Sequence, residues 1–575
     1  MSRFVPLALL GLLLAGPSVA QTTTVSADIT ADVTWAPPTE YLLDGLIFVR
    51  PGVELTIERG TVIRGAATPS SGTGDLASGL VIMVGATIDA QGTAADPIIM
   101  TAESDNLNGN LGPDDRAEWG GLIVLGRATT NSTPGINNIE GVPPTDDTRF
   151  GCDDSVTGFE CNDEESSGTI RYVSLRHGGF GFETDSEING MTFGAVGSGT
   201  TVEFVEVFAN SDDAFEFFGG TVGVKHLVGA YSGDDTFDTD RGFRGTFQFG
   251  FSVNNPGNDA GRCLENDGGS SSLGGEDATP FSNPIYSNIT CIGAGEDADD
   301  SQLGEDENSS ALQLRDNTGG KIYNSIFADY PGSAVDLEAL SSGEDTENRF
   351  GTNTEGTDDL IIRNNIFFAF DAGDTFDDLV DDDGDNSEAR QDAIEAALAG
   401  GNTVVDPELG NLDSRDVEDG SGFDPRPSAS GPAASGAQFT GNALENDAFF
   451  TVVDYLGAFE PGVPVWADNW TRTSDFLSDF ATPVEGGPEA AFALTVGPNP
   501  TAGDATVRFS LDEAQDVRIA LYDVLGRQVA IVAEGAFGAG EQVARVATGS
   551  LPAGVYVLRL DGETAAASRQ ISVVR

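Results

Sequence analysis

The run Asp212-Asp213-Ala214-Phe215-Glu216 returns as Asp234-Asp235-Thr236-Phe237-Asp238, 22 residues further on. A tandem array of immunoglobulin-like domains would also be all-β, but it would not repeat a phrase at so short an interval. Irregular repeats of about 20 to 45 residues, made of short strands and tight turns, mark a β-solenoid. One coil cannot bury its apolar side alone, whereas coils stacked about 4.8 Å apart share a continuous core. Alternate residues of a strand face opposite ways. Phe215 and Phe217 therefore share a face, Phe237 falls at the position of Phe215, and these rings should point inward. The other face carries Asp212 and Glu216 on one coil and Asp234, Asp238 and Asp240 on the next, with Asp212 over Asp234 and Glu216 over Asp238.

The rest of the body reads the same way. "GLIFV" at 45–49, "GLVIMV" at 79–84 and "GLIVL" at 121–125 each open a strand after a turn. "YSNITCIG", "YNSIFAD" and "RNNIFFAF" each place Asn or Ser just before Ile. The periodicity predicts one helix, Ser387–Leu398, and long segments such as Cys263–Asn308 must leave the stack as loops. The acid run Asp381–Asp385 lacks glycine at the sixth loop position and is not an EF-hand.

Carboxylates stacked at coil spacing repel by roughly 1 kcal/mol in water and about 3–4 kcal/mol at an effective dielectric of 20. Three things could offset this. Arg241 and Arg244 could fold back across the column. A hard cation such as Ca²⁺ could take Asp212, Glu216, Asp234, Asp238 and Asp240 as ligands. Otherwise the acids sit in water or accept backbone N–H bonds in turns, the role that suits Asp213 and Asp235. The formal charge of −65, from 93 acids and 28 bases, repels nucleic acid and anionic membranes. Much of it is an acidic surface suited to salty surroundings, since the acids are spread along the whole chain.

Residues 1–20 have a basic start, an apolar run and small residues at Ser18 and Ala20, the pattern of a secretory signal peptide cleaved after Ala20. No later stretch has the roughly 20 apolar residues of a membrane helix. In that compartment Cys152 and Cys161, and Cys263 and Cys291, make two local disulfides the simplest pairing, although four cysteines allow three connectivities.

After "ATPVEGGPEA" comes a compact unit with cleaner alternation. Its "PNPT" (Pro498, Asn499, Pro500), "LYDVLGRQV" (Gly526, Arg527), "GAG", "LPAGVYVLRL" (Gly554, Tyr556) and terminal "ISVVR" resemble the type A sorting domain of the type IX secretion system. The resemblance implies an immunoglobulin-like β-sandwich read as an export address, with the type IX machinery as partner and the outer cell surface or the medium as destination. The body phrases "WGGLIVLGRA", "RYVSLRHGG", "VEFVEVFANSDDAFEFFGGTV" and "FFTVVDYLGAFEPG" are similar to those of large secreted proteins of bacteria that use this system. Those are right-handed parallel β-helices without an assigned activity. The expected organisation is signal peptide 1–20, parallel β-helix 21–475, linker 476–490 and sorting domain 491–575.

Parallel β-helices host polysaccharide lyases and hydrolases, so the residues were tested for that chemistry. A lyase would use Ca²⁺ with Arg241 or Arg244 as base, but arginine is a poor base and an acidic setting holds its proton more tightly. "NSD" at 210–212 and "GDD" at 233–235 mimic two polygalacturonase motifs, yet no histidine follows His226 and Arg-x-Lys is absent. His177 and His226 read as packed strand or turn residues, and Trp119, Trp466 and Trp470 as caps before sugar platforms. The expectation is a secreted, non-enzymatic surface protein for adhesion or glycan binding, with Ca²⁺ as the cofactor its acids would take. A polysaccharide lyase or glycoside hydrolase is the alternative.

Overall fold

The computed structural model describes residues 21–573 except 71–76, 184–185, 257–260, 270–272, 299–308, 340–345, 382–386, 413–422, 477–493, 498–504, 512–514, 524–527, 549–550, 552–553 and 562–565. Residues 1–20, expected to be a signal peptide, the expected linker after Phe476, and Pro498, Asn499, Pro500, Gly526 and Arg527 lie outside the described residues. The chain divides into two compact units, Met1–Pro461 with Val465–Ser478, and Gly462–Pro464 with Asp479–Arg575.

The large unit is a parallel β-helix. Among the described residues, ten strands, from Leu46–Val49 through Phe215–Gly220 and Phe237–Asp240 to Val380–Asp381, stack into one sheet, and nineteen form a second. Phe215 pairs with Phe237 and Glu216 with Asp238 in a parallel register, as the 22-residue offset predicts. The rings of Phe215 and Phe237 stack at 5.7 Å and those of Phe193 and Phe217 at 4.7 Å, all of them buried in one core. The helix Glu388–Ala399 buries Ile394 and Leu398 in the same core, with the Ser387 side chain accepting from the Arg390 N–H as its N-cap.

Long strands of the larger sheet bend at one residue of positive φ per coil. Tyr172, Phe204, His226, Phe249, Asn288, Asn324 and Asn364 occupy this position with φ between +49° and +61°. Left-handed backbone costs a bulky residue energy, and stacking offsets it. Tyr172–Phe204, Phe204–His226 and His226–Phe249 have ring centroids 4.5, 4.2 and 4.9 Å apart. Where the rings end, asparagine takes over, a residue that tolerates this conformation. Its amides continue the ladder, Asn364 Nδ2 donating to Asn324 Oδ1 at 2.7 Å.

Residues 424–476 then cover this bend as a strap that runs forward from Gln248 at Thr451 to Asn324 at Gly457 and then back to Phe204 at Trp466 and Trp470. Gln248 Nε2 donates to the Thr451 carbonyl at 2.7 Å, and Gln248 Oε1 accepts from the Thr451 N–H at 2.8 Å. Asn288 Nδ2 donates to the Tyr455 carbonyl, and Asn324 exchanges hydrogen bonds with the Gln438 backbone. Trp466 and Trp470 set their edges against Phe204, and Trp119 and Trp470 are each 1% exposed. These tryptophans are packing residues.

Cys152 pairs with Cys161 and Cys263 with Cys291. The second bond lies inside the coil core, whereas the first ties a surface flap. That flap lays Ile139, Val142 and Phe150 on Val81, Ile123, Leu125 and Phe218, covering the outer face of the ten-stranded sheet.

The small unit pairs its strands antiparallel in a three-stranded and a four-stranded sheet. Val507, Phe509, Ile519, Leu521, Leu558 and Leu560 form its core, as alternation in a β-sandwich requires. Gly554 opens the strand Gly554–Asp561, and Tyr556 within it is buried.

Candidate cation site

Where the flap ends, the outer face of the ten-stranded sheet changes character. One column in register runs Val81, Ile123, Thr192, Glu216, Asp238, Glu265, Gln313, Asp336. Three successive coils thus present Glu216, Asp238 and Glu265 side by side. The third acid sits 27 positions beyond the second because a loop intervenes, which hid it from a search at 22 residues.

The turn before each strand supplies a second acid row. Asp213 Oδ1 accepts the Asp235 N–H at 2.9 Å, and Asp235 Oδ1 accepts the Arg262 N–H at 2.6 Å. Both therefore make the turn contacts their type predicts. Asp213 does more. Its second role is to join two groups of carboxylates, Asp212, Asp213 and Asp234, and Asp213, Glu216 and Asp238, in each of which one oxygen per residue lies within 4.8 Å of the others. Four of the five residues read as ligands come together around it. Asp240 does not: it accepts the Arg241 N–H and faces the Arg241 guanidinium.

Of the two arginines expected to fold back, Arg241 does so onto Asp240, whereas Arg244 turns away. Arg241 lies 4.5 Å over the Phe218 ring and 3.5 Å from Glu140, and Arg244 pairs with Asp163 at 3.3 Å. The column is also crossed by Arg262, 3.6 Å from Asp235, and by Arg315, 2.6 Å from Glu265 and 2.8 Å from Asp267. Arg116 reaches Gly233, where an added Cβ would lie 3.0 Å from Nη1, so a base stands beside Asp234. The group Asp213, Glu216 and Asp238 is the better cradle for a cation. Asn189 donates to Glu216, and Asp238 Oδ1 is buried without a hydrogen-bond partner.

Burial, then the neighbouring Asp212 and Asp238, pushes the Asp213 carboxyl well above its usual range. Burial and Asp238 do the same for Glu216, and burial and Asp267 for Asp238. Asp240 is raised to about 7, chiefly by burial. Without a counter-charge these groups hold protons, and a divalent ion would replace them.

The histidines are packed. His226 sits in the ring stack, its pKa lowered to about 3 by burial, and His177 Nδ1 lies 2.7 Å from the Asp115 carbonyl oxygen.

A second acidic pair gives a clean pH test. Glu338 accepts the Asp316 N–H at 2.8 Å, and its carboxyl is raised to about 7 by burial and Asp316. From pH 4.5 to 7 the folded chain keeps a proton that the unfolded chain has lost, so stability falls as pH rises through that window. Glu338→Gln keeps an acceptor without the charge. Urea unfolding should find it equal to the wild type near pH 4.5 and more stable above pH 7, by about 1 kcal/mol once half-exposure is discounted. A gain equal at both pH values would rule out the ionisation.

Residues 27–395 match the pectate-lyase-like beta helix domain family, and residues 495–574 match the secretion system C-terminal sorting domain. No curated protein matches the chain. Among solved structures, the enzymatically active domain of bacteriophage CBA120 tailspike protein 2 aligns at 9% identity over 93% of this chain and 72% of its own. Its TM-score of 0.16 carries no argument. With the family match covering well over half of its residues, the chain belongs to the pectate-lyase-like β-helix family, and its sorting domain makes it a secreted, cell-surface protein of the type IX secretion system.

Proposed function

We propose that this chain is a non-enzymatic surface β-helix that binds Ca²⁺ on its acid column and engages extracellular glycan. The observation that carries the reading is the convergence of Asp213, Glu216 and Asp238 oxygens within 4.8 Å on a buried face. Oxygen-only carboxylate clusters suit a hard cation, and Asp212 and Asp234 add negative charge beside them. The lyase reading would need an arginine as base, and the two that cross the column, Arg262 and Arg315, face carboxylates that hold their protons.

The test is a calorimetric Ca²⁺ titration of the secreted chain at pH 8. It should show saturable binding in the roughly 10⁻⁵–10⁻³ M range, near that of extracellular Ca²⁺ modules. The measured heat should depend on the buffer's ionisation enthalpy, because the carboxyls release protons. No saturable heat would sink the Ca²⁺ reading, and Ca²⁺-dependent cleavage of a uronate polymer would replace the binder with a lyase.

A further inference from the structure

The chain has two lysines, Lys225 and Lys321, and both stand on the outer face of the larger sheet. They are three coils apart, on the order of 14 Å at strand spacing. Each lines a groove against the strap, and the two grooves differ in charge. The Lys321 groove holds Glu355, Asp358, Asp359 and Glu445. The Lys225 groove, of about 520 Å³, is framed by Thr201, Thr246, Glu203, Arg244, Asp447 and Phe449.

The floor of the Lys225 groove is opened by one residue. An outward column runs Thr169, Thr201, Gly223, Thr246, so the hydroxyl row has a gap at Gly223. A Cβ there would come within 2.7 Å of the Phe449 ring and 2.8 Å of Thr246 Oγ1. The ring of Phe449 is thereby laid over the sheet, partly buried against Phe450 and Leu444, with Lys225 Nζ 4.7 Å from its centroid. One ammonium proton goes to Thr451 Oγ1 at 3.1 Å, and Lys225 carries three. Glu203 is paired with Arg171 and Arg244 with Asp163, and Lys225 and Asp447 are the groove's other charges, in a chain that is otherwise strongly negative. Arg244 is held by Asp163 and the Thr129 carbonyl, which leaves Lys225 as the group able to turn toward a ligand.

We infer that this groove binds an acidic sugar unit of an extracellular glycan, its ring against Phe449, its hydroxyls on the threonines and Glu203, and its anionic group on Lys225. The inference rests on the glycan-binding reading above, but it does not need the cation. An aromatic edge, a hydroxyl row and one available ammonium in a shallow polar groove match a hydroxylated ring that carries a negative charge. The Lys321 groove, with four carboxylates, does not.

The experiment uses the full chain in EDTA, so that the acid column is silent. A glucuronate-containing tetrasaccharide and its carboxyl-reduced counterpart are titrated by calorimetry. The acidic sugar should bind about 10-fold or more tightly than the neutral one, the effect of one charge-assisted hydrogen bond. Lys225→Met should erase that preference, Phe449→Ala should weaken both sugars, and Lys321→Met should change neither. Melting temperatures near that of the wild type confirm that the variants fold. Equal binding of both sugars, or a preference that survives Lys225→Met, overturns the assignment. Binding seen only with Ca²⁺ would overturn this groove while leaving the glycan reading in place. No sugar binding in either condition would remove both.

Discussion

Asp213→Asn should weaken Ca²⁺ binding by 100-fold or more while making the cation-free protein no less stable. Asp213 is the carboxylate common to both acid groups, so the change takes a full negative charge from whichever position the ion occupies. At about 4 Å and an effective dielectric of 20, a unit charge interacts with another by roughly 4 kcal/mol, and a divalent ion doubles the stake. Even a half of that amounts to more than two decades of affinity. The fold should survive because the asparagine Oδ1 can still accept the Asp235 N–H that Asp213 accepts. In EDTA above pH 7 the variant should melt at or above the wild-type temperature, since a buried carboxyl raised by its neighbours has been removed. Asp240→Asn is the companion measurement, expected to leave affinity within a few-fold because Asp240 is absent from both groups. If the two variants behave alike, the site is a diffuse field of charge, not a cradle.

The second large effect is expected far from the acid column. Glu206 is fully buried beneath the end of the strap. Its Oε1 accepts from the Thr473 N–H and hydroxyl at 2.7 Å, and its Oε2 from the Arg472 N–H at 2.8 Å and from the Ser174 hydroxyl. Glu206→Ala would leave two backbone N–H groups unpaired and would also leave the buried Arg176 without its principal compensating charge. Breaking such a site costs about 3–5 kcal/mol. The strap should detach locally before the coils unfold, which protease cutting near Trp466–Phe476 and a red shift of tryptophan emission would reveal. Global unfolding with no earlier strap release would show that strap and coils form one cooperative unit.

The parts of this architecture legible in the sequence are those confined to one coil or to neighbouring coils. Phe215 and Phe237 lie one turn apart, so their spacing reports directly on register. The grouping of Asp212, Glu216, Asp234 and Asp238 follows from the same step. For Asp213 the sequence predicts a turn role only, because strand alternation does not extend into the turn where it sits. Glu265, Arg262 and Arg315 escaped because loops of varying length separate their coils from the repeated phrase. Glu206 and Thr473 are 267 residues apart, and no periodicity reports a contact of that kind. The column of rings at the bend was hidden for another reason: Tyr172, Phe204, His226 and Phe249 share a backbone conformation, not a residue type.

The strap also decides how the protein bears tension. Phe476, the last residue described in the body, stacks on Phe208 with ring centroids 5.6 Å apart, well back toward the first coils. A pull on the chain beyond it meets the Glu206 anchor first and then the amide pairs at Asn288, Gln248 and Asn324 in turn. In a secreted, cell-surface protein the strap acts as strain relief: shear along it is spent on side-chain amides before any coil can unzip.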